Sequence, residues 1–292
     1  MATKQLVSQD EIVKKSNALV RGHWKPSSIW EPRIVALVAS KVRESDEDFY
    51  TYQIPVSELT GFNDEKLRGN QYQDIVKSID NLGKAIVRIQ GSKPRNFRQY
   101  PIFSMCGYEN GNLIARFDPD LKPHFLNLKV NFTEYSLFEY LKLPSIYSQK
   151  IFEFLKSWND KPEIIISVIE LHELLNTPDS FRANFAEFRR RVLEKAHKDI
   201  TTKTKVVYEW EPIKQGRSVE SVRFTFGKKR SLPVAKKKTD DAKEKQSQRN
   251  NAAAITAMNC LKERGETCAG GHQKKSICDI CLKFRPQESC QK

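Results

Sequence analysis

The chain has 292 residues but no long apolar run, and stretches such as residues 34–39 are far shorter than the roughly 20 residues a membrane span needs. Residues 1–15 are polar and charged and carry no apolar leader core. A cytoplasmic location and no membrane partner are therefore expected. The five histidines, His23, His124, His172, His197 and His272, include no His-x-His pair that would hold a catalytic metal. No Gly-x4-Gly-Lys-Ser/Thr loop is present to cradle a nucleotide, which argues against ATP-driven chemistry. No enzyme is expected. Cysteine is nearly missing from the body of the chain, where Cys106 stands alone and is expected to be a small buried residue; the other five of the six lie between Cys260 and Cys290. Acidic residues are also in deficit, 36 against 50 Lys and Arg, for a net charge of +14 and a pI near 9.4. Such a balance favours a polyanionic partner. Residues 228–292 hold 16 basic and 7 acidic residues, so the body is only mildly basic and its positive surface has to be local.

The clearest local signal runs from Thr177 to Phe226. Phe181, Phe185, Phe188, Val192 and Ala196 recur at steps of four, three, four and four, which predicts one helix with a single apolar stripe. Thr177, Pro178, Asp179 and Ser180 supply the chemistry of a helix start. The remaining surface carries Arg182, Asn184, Arg189, Arg190, Arg191 and Lys195, with the small Ala183 and Ala186 allowing close approach to a partner. An Arg-Arg-Arg run alone is most simply a solvated face. The residues C-terminal to the helix shift that balance. Val206, Tyr208 and Trp210, then Val222, Phe224 and Phe226, alternate with polar residues around a Lys214-Gln215-Gly216-Arg217-Ser218 turn. Lys203, Lys205, Lys214 and Arg217 would carry positive charge from the helix to this hairpin, as a phosphate backbone passing both requires.

The same order of elements occurs earlier in the chain. IPVSEL at residues 54–59 resembles ISVIEL at residues 166–171, and RIVALVASK (33–41) resembles KIFEFLKSW (150–158). In the second copy Ser167 and Glu170 form a Ser-x-x-Glu capping box. In the first, a turn at Thr60 to Asn63 precedes a long helix from about Asp64 to Leu82, with Leu67, Ile75, Ile79 and Leu82 facing inward and Lys66, Asn70, Gln73 and Lys77 outward. Strands are expected at 85–90, 100–105 and 113–117, separated by a basic loop at 93–98 and an Asn110-Gly111 turn. Thr133 is expected to begin a helix that enters the second copy. The fold class is therefore α+β: two tandem winged-helix domains at residues 1–130 and 131–227, followed by a basic, partly disordered tail at 228–292 that includes a flexible linker to about 255.

Several of these segments, IYSQKIFEFL, FRRRVLEKAHKDI, GRSVESVRFTF, KKSNALV and YQIPVSEL, occur in the order seen in the iteron-binding plasmid replication initiators, and the chain resembles that family over roughly residues 10–227. The resemblance implies twin winged helices that bind double-stranded origin repeats as a monomer, help to open the duplex and recruit host replication proteins. It also implies a dimer, joined mainly through the first module, that represses the protein's own promoter. Carried over by motif, the helix of the second module is the principal reader of sequence, with Ser180, Arg182, Asn184, Arg189, Arg190, Arg191 and Lys195 as contact candidates. A dedicated winged-helix transcriptional repressor is the main alternative, and an interaction scaffold is a third.

Beyond the resemblance, Cys268-x3-His272-x5-Cys278-x2-Cys281 offers four donors for a tetrahedral zinc ion, with Cys260 and Cys290 as substitutes. The same cysteines would also survive as free thiols in a reducing compartment. Zinc is the single cofactor the sequence suggests.

Overall fold

A computed structural model describes residues 11–60, 69–91, 93, 95–158 and 160–227. The tail with Cys268, His272, Cys278 and Cys281, and in the first module residues 61–68 with Lys66, Leu67 and the expected helix start at Asp64, lie outside the described residues. The chain enters through β1 (Ile12–Ser16) and the short helix α1 (Asn17–Val20). The first module consists of α2 (Trp30–Ser40), β2 (Tyr52–Pro55), a 3-10 turn (Val56–Thr60), α3 (Gly69–Leu82), an inserted hairpin of β3 (Ile86–Gln90) and β4 (Phe97–Pro101), and a wing of β5 (Phe103–Glu109) and β6 (Asn112–Phe117). A 3-10 turn (Pro119–Leu121), α4 (Lys122–Phe125), β7 (Phe132–Ser136) and α5 (Leu137–Leu141) connect it to the second module. That module holds α6 (Ile146–Lys156), β8 (Glu163–Ser167), α7 (Val168–Leu175), α8 (Asp179–Arg182), α9 (Phe185–Phe188), a π-helical segment (Arg189–Leu193), α10 (Glu194–Lys203), and a wing of β9 (Tyr208–Gln215) and β10 (Ser218–Phe226).

The internal repeat is a structural one. Each module has an antiparallel three-stranded sheet in which the last strand lies centrally, β2-β6-β5 in one and β8-β10-β9 in the other. The helices named by the sequence repeat, α2 and α6, occupy the same place before the first strand. The hairpin of β3 and β4 forms a separate two-stranded sheet, and it interrupts the first module alone. The repeat also extends further back than the sequence suggested. In β1 and β7 a strand ends on a serine that caps a short helix: Ser16 Oγ accepts from the Leu19 N–H at 3.2 Å, and Ser136 Oγ from the Glu139 N–H at 3.4 Å. The two strands pair antiparallel, Ile12 opposite Ser136 and Ser16 opposite Phe132, across the expected boundary at 130/131.

This pairing corrects the expected helix start at Thr133. Residues 132–136 are a strand because Thr133 and Tyr135 are buried while Glu134 is exposed, the period of two that a half-buried strand requires. Helix formation waits for the cap at Ser136.

The core is continuous through both modules. Helix α2 is buried nearly all round, which places it between β1, α3 and α5. In the wing of the first module Phe117 stacks between Phe103 and Phe125, with ring centroids 4.8 and 4.3 Å away. Cys106 in β5 is half-buried rather than enclosed, and burial pushes its thiol up to about 12.

Cations set on the ends of helices join the two halves. Arg33 of α2 donates to Leu141 O and Leu143 O, at 2.8 and 3.1 Å, where α5 ends. Arg21 donates to Ser157 Oγ at 3.0 Å and to Ser157 O at the end of α6, and its guanidinium lies 3.5 Å from the Trp158 ring centroid. Lys150 of α6 reaches Trp24 O at 2.9 Å and Leu174 O at 3.0 Å, the latter at the end of α7. Carbonyls at helix C-termini lack intrahelical partners and carry the negative end of the helix dipole, so a buried cation is well placed there. Lys15 of β1 adds an ion pair of 2.5 Å with Glu153 of α6, and the Tyr135 hydroxyl donates to the same carboxylate.

Burial lowers the Lys150 ammonium from 10.5 to about 8. Between those values the unfolded chain holds a proton that the folded chain has released, so raising the pH favours the folded form. Relative to Lys150→Met, the wild type should gain stability across that window by up to about 1.4 kcal/mol per pH unit in denaturant titrations. A difference that stays flat from pH 8 to 10.5 contradicts this.

Candidate DNA-binding surface

The candidate reading helix of the second module begins later than its apolar stripe suggested. Helix α7 carries the expected capping box, with both Ser167–Glu170 bonds formed, and stops at Asn176, which adopts the left-handed conformation with φ 51°. His172 then ties the turn, its Nδ1 2.6 Å from Thr177 Oγ1 and its ring 4.2 Å from that of Phe188. Burial, then the nearby Arg182 charge, lowers its pKa, which suits a neutral structural histidine. The single turn α8 comes next, and the chain then leaves helical geometry at Asn184, where φ is −138° and ψ 98°. Asn184 Oδ1 accepts from the Ala186 and Glu187 N–H groups at 3.0 and 3.3 Å. The one helix expected from Phe181 is therefore two pieces, because an asparagine side chain that replaces the missing backbone acceptors favours a cap over a helix interior.

Beyond Asn184 the helical run continues to Lys203, and its middle is a π-helical turn. The adjacent pair Val192 and Leu193 is fully buried together with Phe188, Ala196 and Ile200. A helix of regular pitch turns consecutive residues 100° apart; the wider π turn lets both face the core and leaves Arg189, Arg190 and Arg191 consecutively exposed. Such bulges often occur at functional sites.

The helix is anchored from behind and from the side. Ser148 Oγ of α6 donates to Asp199 Oδ2 at 2.7 Å, and His197 Nε2 lies 3.0 Å from Tyr208 O at the root of the wing. Strands β9 and β10 turn through Gly216, whose φ of 62° suits a residue without a side chain, so the cationic tip forms as expected.

The arginines and the lysines have different surroundings. Arg189 is paired with Glu194 at 2.7 Å, while Arg190 and Arg191 share Glu187, each at 2.6 Å. Those two arginines, first Arg191 and then Arg190, hold the Glu187 carboxyl below its usual range. Lys195, Lys203, Lys214 and Arg217 have no ion-pair partner among the described residues, and Lys205 lies 4.0 Å from Glu139 with its side chain 94% exposed. Ser180 and Arg182 sit on the preceding turn, where Arg182 Nε donates to Thr177 O at 3.3 Å and lies 4.0 Å from Asp179. The structure thus brings Asn184, Arg189, Arg190, Arg191 and Lys195 onto one helix and separates Ser180 and Arg182 from it.

In the first module Ile75, Ile79 and Leu82 of α3 are buried, and Asn70, Gln73 and Lys77 are exposed, as their spacing predicts. Two acids belong to the same surface: Glu187, three and four residues before Arg190 and Arg191, at the spacing of ordinary helix partners, and Glu194, five residues after Arg189, a spacing that regular helix geometry does not bring together. The inserted hairpin, whose basic loop the sequence shows, adds cations beyond the expected contact candidates: Arg88 lies 3.7 Å from the exposed Phe97 ring, and Arg95 and Arg98 are exposed. Among the described residues no group of three His, Cys, Asp or Glu side chains is placed to hold a metal, and no helix is long and apolar enough to cross a membrane.

Comparison with solved structures gives a match to a Pi initiator protein crystallised in complex with iteron DNA. The match has 21% identity and a TM-score of 0.60, and spans 75% of this chain and 98% of that one. At this identity the likeness concerns the fold. Two family models match in tandem: the WH1 domain of initiator replication proteins at residues 12–156 and the WH2 domain at residues 167–226. With both domains present in order, each built on a three-stranded sheet with its last strand central, the chain belongs to the initiator replication protein family.

Proposed function

We propose that this protein starts plasmid replication by binding direct repeats at its origin as a monomer, with the second winged helix reading sequence and the first adding contacts. The observation that carries this reading is the helix from Phe185 to Lys203, which exposes its arginines and has Lys214 and Arg217, unpaired among the described residues, at the tip of the wing that follows it. Binding of iteron DNA by the Pi initiator protein supports it. Asn70, Gln73 and Lys77 form the corresponding strip on the first module's helix, and Lys66, outside the described residues, is proposed to extend it. Opening of the duplex, recruitment of host replication proteins and repression of the protein's own gene by a dimer belong to the same proposal. So do a cytoplasmic site of action and the lack of a catalytic role. A replicon carrying this gene and its adjacent repeats should persist in a host where a gene-deleted version is lost; persistence of both would favour a dedicated repressor.

Division of labour between helix and wing gives two contrasting expectations. Arg190→Ala should cost about 1 to 3 kcal/mol on repeat DNA and relax the preference at one base pair, measured by competition binding. An equal loss on all sequences would assign Arg190 to phosphate instead. Lys214→Ala should weaken binding to every duplex and reduce the slope of log affinity against log salt by about one unit. An unchanged slope would remove the wing from the interface.

For the tail, Cys268, His272, Cys278 and Cys281 remain the proposed zinc ligands, supported by their spacing. The purified full chain should retain one zinc ion per protein by elemental analysis, and Cys278→Ser should release it. No retained zinc would end the proposal.

A further inference from the structure

Glu187 stands out as a carboxylate in the middle of the surface meant for a polyanion. It occupies the third position after the Asn184 cap, where a glutamate commonly returns its side chain to the cap's backbone N–H, as Glu170 does to Ser167 in α7. Glu187 does not. The Asn184 N–H instead meets Phe181 O at 3.4 Å, and Asn184 Oδ1 serves the first free N–H groups of the helix. The carboxylate is given over entirely to two arginines: Oε1 accepts from Arg190 Nη2 and Oε2 from Arg191 Nε, each at 2.6 Å. Neither arginine has another hydrogen-bond or ion-pair partner among the described residues.

The geometry of these bonds bears on recognition. Because Arg191 is held through Nε, both of its terminal nitrogens remain for a ligand, and they are the pair that spans O6 and N7 of guanine. Arg190 is held through one terminal nitrogen and keeps Nε and the other. A carboxylate here also opposes phosphate, so it subtracts from sequence-independent attraction, which depends on counterion release by unneutralised cations. We propose that Glu187 is a positioning and specificity-determining residue. It holds Arg190 and Arg191 in the orientation that takes guanine edges and weakens binding to DNA that offers phosphates alone. This role rests on the reading that the helix enters a DNA groove.

The test is competition binding of the full chain to a repeat duplex footprinted beside its own gene and to a scrambled duplex of the same length, over a range of salt. With Glu187→Gln, affinity for the scrambled duplex should rise several-fold while affinity for the repeat stays level or falls, reducing the ratio about tenfold. The salt slope on the scrambled duplex should steepen by about one unit. Glu187→Asp should recover part of the ratio, which a charge placed merely to suit the helix dipole would not couple to base identity. Equal changes on both duplexes, or a lower melting temperature with an unchanged ratio, would overturn the role. Arg190→Ala run alongside separates the two levels. If it lowers the ratio and Glu187→Gln does not, the carboxylate's role fails alone; if neither does, the reading of the helix fails with it.

Discussion

The packing of α6 on both of its flanks is the constraint on which the candidate DNA-binding surface depends. One flank meets the first half of the chain through Lys15 on Glu153, Arg21 at the end of α6, and Lys150 on Trp24 O. The other supports the candidate reading helix through Ser148 and Asp199. Buried charge is costly unless every donor finds an acceptor, and a cation stripped of partners in such a seam costs several kcal/mol. Here the acceptors are carbonyls at the ends of α5, α6 and α7, joined by Trp24 O and the Glu153 carboxylate, while Arg33 Nε is left without a partner among the described residues. Much of the seam therefore relies on where α5, α6 and α7 end. Their lengths and the placing of the reading helix are linked through hydrogen bonding as much as through apolar packing.

The surface built on this frame separates two kinds of cation. The helix arginines are tied to Glu187 and Glu194, which costs them some attraction for phosphate and reduces the number of orientations they sample. Lys195, Lys203, and Lys214 and Arg217 at the tip of the wing are exposed and have no ion-pair partner among the described residues, with the freedom to follow a backbone whose charge is similar along any sequence. Rigid, planar, pre-oriented groups suit base edges, whereas mobile point charges suit phosphates. The π turn is what allows three successive arginines to reach solvent from a helix that buries Val192 and Leu193 side by side.

Much of this was legible in the residues. Steps of three and four marked the buried faces of α3 and the reading helix, and alternation marked β9 and β10, because those periods come directly from backbone geometry. Ser167 and Glu170 announced their capping box. The break at Asn184 was not legible from the stripe, since Phe181 keeps helical spacing although it belongs to the preceding turn; the information lay in the capping preference of asparagine, which spacing ignores. The π turn was hidden because an apolar pair at 192–193 reads equally well as a broad stripe. Strand β7 was missed since its stability comes from a partner, β1, more than a hundred residues away in sequence. Glu187 stands at ordinary helix-partner spacing from Arg190 and Arg191, whereas the Arg189–Glu194 pair, five residues apart, is not readable from regular helix periodicity.

Which groove the candidate reading helix occupies is the central question, and a methylation-protection footprint on DNA flanking the gene measures it most directly. Binding through the helix arginines places a guanidinium on guanine N7, so at least one guanine at the same place in each of a set of direct repeats should be shielded from methylation. Tight binding with no guanine shielded in the major groove, or shielding confined to a single inverted repeat, would contradict it.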